Sequence, residues 1–107
     1  MENVPQPRSL ERLITDPMDT KKALDGSKRA QRRSKRYGDP GDRFTLAGHP
    51  FELTAVYTQQ FRDISDEDAQ KEGYETLSAY HRHLSEMHSN AHFGPDLTFW
   101  VHEFRAL

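Results

Sequence analysis

The feature that most limits this chain is its shortage of apolar side chains. Only 34% of its 107 residues are hydrophobic, so the chain can bury one modest core at most. Much of that burial falls to six Phe, four Tyr and one Trp, because aromatic side chains remove large apolar areas from water. We therefore expect a single domain over residues 10–107, preceded over residues 1–9 by a mobile tail that contains Pro5 and Pro7.

The amino-terminal quarter of the sequence favours helices. Leu10, Leu13 and Ile14 have helical spacing, and a second short helix is expected to begin at Asp19 and to end at Gly26. The basic segment that follows has no apolar stripe with a period of 3.6 residues, which indicates a polar strand or a loop.

The middle and the end of the sequence favour strands. Alternating apolar residues over 43–47 and 51–57 predict a hairpin whose Gly48-His49-Pro50 connection is longer than a tight two-residue turn. Residues 97–107 carry bulky apolar side chains on both faces, so we expect them to form an inner strand.

Two helices are expected between the hairpin and the last strand. Ser65 precedes three acids and predicts a short helix that ends at Gly73, and Thr76 can cap a longer helix with one apolar face. This order lacks the regular strand-helix-strand alternation of a parallel sheet. It predicts an α+β domain, with a mixed or antiparallel sheet curled into a small barrel and flanked by short helices.

The charges along the chain are unevenly distributed. Six basic residues and no acid lie between Lys28 and Arg36, whereas nine basic residues face 17 acids in the rest of the chain. A positive patch on an acidic body is typical of a protein that contacts polyanions at one place, and arginine suits phosphate particularly well.

Four short segments match a known family in their order and spacing. They are Asp25-Gly26-Ser27-Lys28 with Arg32 and Arg33 soon after, Gly41-Asp42 before a strand, Asp68-Ala69-Gln70-Lys71-Glu72-Gly73 on the short helix, and Val101-His102-Glu103-Phe104 in the last strand. Over about residues 24–104 the chain resembles the ASCH domains, relatives of the PUA RNA-binding fold. The resemblance implies a PUA-like β-barrel with a cleft where the Gly-x-Lys segment faces the acidic helix. Members of the family include RNA-binding modules, an amidohydrolase that deacetylates acetylcytidine and a proposed ribonuclease, so the fold alone leaves function open.

The resemblance also implies which residues occupy the cleft. Lys28 and Glu72 match the lysine and the glutamate of the amidohydrolase branch and form the candidate catalytic pair. The family threonine falls on Gln31, which cannot serve as an alkoxide nucleophile. The arginines around Lys28 are expected to disfavour its charged form and so to make it a better base. The candidate residues for binding RNA or a nucleoside are Lys28, Arg29, Gln31, Arg32, Arg33, Lys35 and Arg36.

Several classes of protein are excluded or not expected. The chain has no cysteine, which rules out disulfides and thiolate metal sites. His81 and His83 are two residues apart on a helix and should point to different sides, so neither a metal site nor another cofactor is expected. No apolar run is long enough for a membrane helix and the amino end does not resemble a secretion signal, which together favour the cytoplasm.

Three functions remain open. The leading one is an RNA-binding or modified-nucleoside-binding ASCH domain that uses a basic cleft, with Tyr37 and Tyr57 as possible stacking faces. The alternative is a metal-independent enzyme, either a small amidohydrolase acting on acetylated cytidine or a ribonuclease. The third is a protein-interaction module that uses the acids between Ser65 and Glu75 as its contact surface. The oligomeric state is not predicted.

Overall fold

The computed structural model describes residues 10–87, 94 and 96–107, and the predicted mobile tail over residues 1–9 lies outside them. The helices in this part of the chain are α1 (Pro17–Asp25), α2 (Asp66–Lys71) and α3 (Leu77–Met87). The strands are β1 (Ala30–Arg33), β2 (Arg43–Leu46), β3 (His49–Gln60) and β4 (Thr98–Ala106). Single 3-10 turns lie at Leu10–Arg12 and Phe61–Asp63. None of these helices is long and apolar enough to cross a membrane.

The four strands form one antiparallel sheet in the order β1-β4-β3-β2. Strand β4 lies between β1 and β3, which confirms the prediction that it is an inner strand. The pairing of β3 with β4 shifts register between Leu53 and Ala55, and an irregularity of this kind bends a long strand. Strands β1 and β2 are the two edges and do not pair with each other, so the curled sheet is an open half-barrel and not a closed barrel. The predicted α+β class, with a curled antiparallel sheet and short helices, is confirmed.

The turn between β2 and β3 is shorter than predicted. Leu46 pairs with His49, so Ala47 and Gly48 alone form the turn, with φ of 49° and 84°. Positive φ at both central residues gives a turn whose twist matches that of the flanking strands. The prediction of a longer loop is wrong because Pro50 is accommodated inside β3, opposite Thr45.

Helix α1 ends at Gly26 as predicted but begins before Asp19. Asp16 is its N-cap and accepts a hydrogen bond from the Met18 N–H at 3.0 Å, and Pro17 occupies the first turn, where a missing N–H costs nothing. The helix predicted around Leu13 and Ile14 is only a 3-10 turn ending at Arg12. Both apolar residues follow that turn and are buried, so their spacing reflects core packing.

Helices α2 and α3 begin where their caps predicted. The Ser65 hydroxyl accepts from the Asp68 N–H at 3.2 Å, while the Asp68 carboxylate accepts from the Ser65 N–H at 2.9 Å, which is a capping box. Thr76 Oγ1 accepts from the Ala79 N–H at 3.1 Å. Asp66 also accepts from the Leu77 N–H, so part of the acidic surface proposed for protein contact serves the two helix ends.

Two apolar clusters hold the elements together. The larger one joins the sheet to α1 and the preceding turn, and its buried members are Leu13, Ile14, Ala23, Tyr37, Phe44, Leu46, Phe51, Leu53 and Phe104. The smaller one, between α2, α3 and the end of β3, contains Ile64, Ala69 and Tyr80. Rings of Phe44, Phe51 and Phe104 lie 5.6–5.9 Å apart, in agreement with the expected role of aromatic residues in the core.

Candidate functional site

Three charged side chains meet in the interior between β1 and the end of α2. Lys28 Nζ lies 2.8 Å from Glu72 Oε1, and Arg32 Nη1 lies 2.9 Å from Glu72 Oε2. Lys28 also donates to the Glu72 carbonyl oxygen at 3.2 Å. Lys28 and Glu72 are 2% exposed and Arg32 is 6% exposed. The structure thus brings together Lys28 and Glu72, which lie 44 residues apart in the sequence.

Backbone contacts hold the two segments of this cluster in place. The Arg29 N–H donates to the Lys71 carbonyl at 2.6 Å, which ties the residues before β1 to the last turn of α2. Gly73 follows Glu72 with φ of 97°, and a Cβ at this position would lie only 2.9 Å from Lys22 Cδ. The chain therefore needs glycine to turn away directly after Glu72.

A second group of polar contacts fixes the Arg32 guanidinium. Gln59 Oε1 accepts from Arg32 Nε and Nη2 at 3.1 and 2.6 Å, and Asp68 Oδ1 lies 3.4 Å from Nη2. Burial opposes the charge of Asp68, but hydrogen bonds from Ser65 and Gln59 and the charge of Arg32 outweigh it and lower the pKa of Asp68. Arg32 is consequently held by charged or polar partners at all three of its nitrogens.

Buried ions are costly unless their partners compensate them, and here acids outnumber bases. Asp19 Oδ1 lies 3.9 Å from Lys28 Nζ, so two cations face the three carboxylates of Glu72, Asp68 and Asp19. Burial raises the pKa of Asp19, and the charge of Lys28 acts against that rise. The cluster leaves no buried positive charge uncompensated.

A cleft with a volume of about 130 Å³ opens beside Glu72. This volume is smaller than the roughly 300–1,000 Å³ of common ligand sites. Strand β1 contributes Gln31, Arg32 and Arg33 to the lining of the cleft, and the start of α1 with the residues before it contributes Thr15, Asp16 and Asp19. The remaining lining residues are Glu72, Tyr74, Tyr80, His83 and Leu84. Burial raises the pKa of the Tyr74 and Tyr80 hydroxyls, so both remain neutral at physiological pH.

Gln31, in the lining of this cleft, carries a buried polar atom without a hydrogen-bond partner among the described residues. Its Oε1 is buried, and among the described residues it has no hydrogen-bond partner, whereas its Nε2 donates to the Arg32 carbonyl at 3.3 Å. A buried polar atom without a partner is rare in folded proteins and carries a cost of about 1–3 kcal/mol. Because Gln31 is also one of the residues that line the cleft, this acceptor without a partner belongs to the wall of the cleft.

The other predicted binding residues are dispersed. Arg29, Lys35 and Arg36 are exposed, and Arg36 pairs with Asp39. Arg33 lines the cleft and donates to the Tyr37 hydroxyl at 2.6 and 3.1 Å. The basic run therefore does not form one continuous positive surface.

The predicted charge of the cleft is wrong. Its lining contains Asp16, Asp19 and Glu72 beside Arg32 and Arg33, so the cleft is of mixed charge. The sequence pattern failed here because the acids come from other elements that pack against the basic strand.

The predicted surroundings of Lys28 are incomplete. Arg32 does lie near it, on the other oxygen of Glu72, but the groups that contact Lys28 Nζ are the Glu72 carboxylate and carbonyl and the Asp19 carboxylate. In this arrangement the ammonium is a hydrogen-bond donor. Lys28 lies behind Glu72 and is not part of the cleft lining, whereas Glu72 is.

The aromatic residues of the cleft differ from those predicted. Tyr37 is 5% exposed and belongs to the main core, and Tyr57 donates its hydroxyl to Glu103. Tyr74 and Tyr80 line the cleft instead, with ring centroids 5.3 Å apart. Tyr80 lies on the apolar face of α3 and Tyr74 lies between α2 and α3, and neither position distinguishes a residue of the cleft wall from a residue of the core in the sequence.

His102 has a structural role. It is fully buried opposite Gln31, its Nε2 accepts from the Tyr37 N–H at 2.9 Å, and its Nδ1 lies 3.2 Å from the Gln31 carbonyl. Burial lowers the pKa of His102, although hydrogen bonds to backbone carbonyls act in the opposite direction. The ring thus fixes β1 and the segment after it from the neighbouring strand β4.

Two solved structures share this architecture. One is an ASCH domain from Lactobacillus crispatus JV V101, with a TM-score of 0.64 and 18% identity over 87% of this chain and 75% of that chain. The other is a protein from Enterococcus faecalis V583 of the family DUF984, with a TM-score of 0.61 and 18% identity over 82% of this chain and 66% of that chain. No family model and no curated protein matches the sequence. The similarity confirms the predicted ASCH-type fold and leaves the ligand to be argued from the cleft.

Proposed function

We propose that this chain binds a nucleoside, either free and modified or as part of RNA, in the cleft beside Glu72. The observation that carries the proposal is the buried Oε1 of Gln31, because this atom has no partner among the described residues and Gln31 is one of the residues that line the cleft. A carboxamide combines an acceptor with a donor and is therefore suited to the edge of a nucleobase. An amino group on the base would give Gln31 Oε1 the hydrogen bond that it lacks.

Glu72 supports this reading because it presents a fixed carboxylate to the cleft. Lys28 and Arg32 each take up one of its oxygens, yet a carboxylate has about four acceptor positions and can accept further hydrogen bonds. A ligand N–H or ribose hydroxyl is the type of donor that would use them. Lys28 and Arg32 then act as positioning residues that orient the carboxylate.

The surroundings of the cleft suit the remaining parts of such a ligand. Of the two tyrosines in the lining, Tyr80 is buried, and the partly exposed Tyr74 is the one against which a base can pack. Arg33 reaches the cleft, and the exposed Arg29 and Lys35 lie just before and just after the same edge strand, where they can contact phosphates of a longer RNA. The phosphate contacts belong to the rim, and the base contacts belong to the cleft.

An amidohydrolase acting on acetylated cytidine stays the second candidate because Lys28 and Glu72 are in direct contact. Two observations weigh against it. Gln31 occupies the position of the family threonine, and Lys28 is 2% exposed behind Glu72 rather than facing the cleft. The binding proposal needs neither a nucleophile nor a free lysine.

The test is an isothermal calorimetric titration of the full chain with cytidine, acetylcytidine and a short single-stranded RNA. Gln31→Leu removes the amide at nearly constant size and should weaken nucleoside binding by about 5- to 150-fold, equivalent to about 1–3 kcal/mol. Gln70→Leu is the matched control, since Gln70 is exposed on α2 and outside this cleft, and its affinity should equal that of the unchanged chain. Equal affinities of both variants, or no binding of any probe, would contradict the proposal.

Two further arms separate the alternatives. Charge reversal at Arg29 and Lys35, which are exposed, should weaken RNA binding and leave nucleoside binding unchanged. Chromatography after incubation with acetylcytidine tests the hydrolase. Cytidine produced above the level of a Lys28→Met control would make the chain an enzyme.

A further inference from the structure

Three side chains with metal-ligand chemistry converge in the cleft between α1 and α3. Oxygen atoms of Asp16 and Asp19 and a nitrogen of His83 all lie within 4.8 Å of one another. Asp16 is the N-cap of α1 and Asp19 lies in its first turn, whereas His83 comes from α3. We propose that these three residues bind a divalent transition-metal ion of the Zn²⁺ type.

The two carboxylates have ligand atoms to spare. Asp16 uses Oδ1 to accept the capping hydrogen bond from Met18, which leaves Oδ2 for a metal. No described residue donates a hydrogen bond to the Asp19 carboxylate, although Asp19 is only 8% exposed and its closest cation, Lys28 Nζ, is 3.9 Å away. A buried carboxylate without a close cation or hydrogen-bond donor is costly, so a positive charge placed beside Asp19 would stabilise it.

The imidazole is held in position to complete the set. The His83 ring packs against Tyr74, with ring centroids 4.9 Å apart, and both residues line the cleft. The spacing of histidines in the sequence did not indicate this site, because two of its three members are aspartates on another helix. They come together only because the fold places α3 and the start of α1 around the same cleft.

The local electrostatics favour a cation at this point. Asp19 is buried, and the negative charges of Asp16 and Glu72 act on its carboxylate. These three carboxylates crowd one end of the cleft, so a divalent cation between Asp16 and Asp19 would relieve repulsion that Lys28 only partly offsets.

The donor set indicates the class of metal. One imidazole nitrogen and two carboxylate oxygens suit Zn²⁺, whereas Mg²⁺ prefers an octahedron of oxygens and water. Zinc bonds of about 2.1 Å place tetrahedral ligands about 3.4 Å apart, so donors now within 4.8 Å must approach one another by up to about 1.4 Å, which side-chain rotation can supply. Three protein ligands would leave one position open toward the cleft.

The experiment is a Zn²⁺ titration of the metal-free full chain by competition with a chromogenic chelator, repeated with Mg²⁺. The absorption spectrum of the Co²⁺ form reports the ligand geometry. We expect one Zn²⁺ per chain at this site and much weaker Mg²⁺ binding. Asp16→Ser keeps a capping side chain, Asp19→Asn keeps the shape, and His83→Ala removes the imidazole; each should weaken Zn²⁺ binding at least about tenfold.

His49→Ala is the matched control because His49 is exposed at the start of β3, and it should leave the affinity for Zn²⁺ unchanged. Circular dichroism of the metal-free variants checks folding, and if His83→Ala unfolds, Asp16→Ser and Asp19→Asn decide the question. Zinc binding that survives in those two variants, or no zinc binding at all, would overturn the proposal. The titration contains no nucleoside, so its outcome is independent of the proposed function.

Discussion

Replacing Glu72 with Gln tests the buried ion cluster at its centre. Glu72 lies 2.8 Å from Lys28 Nζ and 2.9 Å from Arg32 Nη1, and removing one partner of a buried ion pair costs about 3–5 kcal/mol. Two cations lose a partner at once, but Asp19 at 3.9 Å and Asp68 at 3.4 Å remain. We therefore expect Glu72→Gln to lower the free energy of unfolding by about 3–4 kcal/mol, well below twice the single-pair figure.

Such a loss is easy to measure in a domain of this size. The free energy of unfolding of a small domain is about 5–15 kcal/mol, and each kcal/mol lowers the Tm of a domain of about 100 residues by about 4–8 °C. Urea unfolding followed by circular dichroism gives the free energy, and a thermal scan gives the Tm. Glu75→Gln is the matched control because Glu75 is exposed, and its effect should stay below about 0.5 kcal/mol.

A second substitution shows where the loss originates. If the cost comes from an ammonium left without its carboxylate, Lys28→Met in the Glu72→Gln background should recover at least about 1 kcal/mol. The reasoning is refuted if Glu72→Gln destabilises the chain no more than Glu75→Gln does, or if the double variant is less stable than the single one.

Two other predictions concern the frame of the cleft. Gly73→Ala should destabilise the chain by about 1–2 kcal/mol in urea unfolding, because φ is 97° and the new Cβ would meet the Lys22 side chain. Gly94→Ala is the control and should change the free energy of unfolding little, because φ of Gly94 is not in the left-handed region and no described atom lies within 4 Å of the new Cβ. Because burial lowers the pKa of His102 below its unfolded value of about 6.5, the folded state binds fewer protons, and stability present above pH ~6.5 is lost as the pH falls. The free energy of unfolding should therefore fall from pH 7.5 to 5.5, and less steeply in His102→Gln; an unchanged slope in that variant would show that other groups cause the fall.

Local signals in the sequence predicted the elements that depend on neighbouring residues. Ser65, Thr76 and Gly26 lie where helices begin or end, because capping and positive φ act over a few residues. The helix predicted around Leu13 was wrong because buried residues in an extended segment can have helical spacing by chance. The turn at Ala47 was missed because an alanine with positive φ is uncommon and gives no signal.

The candidate site was predictable only where the resemblance supplied residue positions. It paired Lys28 with Glu72, and the structure places them in contact. Composition could not predict that Asp16, Asp19 and His83 would share the cleft, because they belong to helices that the sequence separates by about 60 residues. Long-range packing decides such neighbours, and no local pattern encodes it.

The different roles of neighbouring residues on β1 affect how the ligand preference of this cleft can change during evolution. Gln31, Arg32 and Arg33 all line the cleft, but only Arg32 is part of the ion cluster, because Gln31 and Arg33 alternate with it along the strand and form no ion pair in that cluster. Ligand preference can then be rewritten by substitutions at residues 31 and 33 while the salt-bridged scaffold stays intact. Because this chain has a small apolar core, the separation of ligand-contacting residues from stabilising residues lets the ligand preference change without a loss of stability.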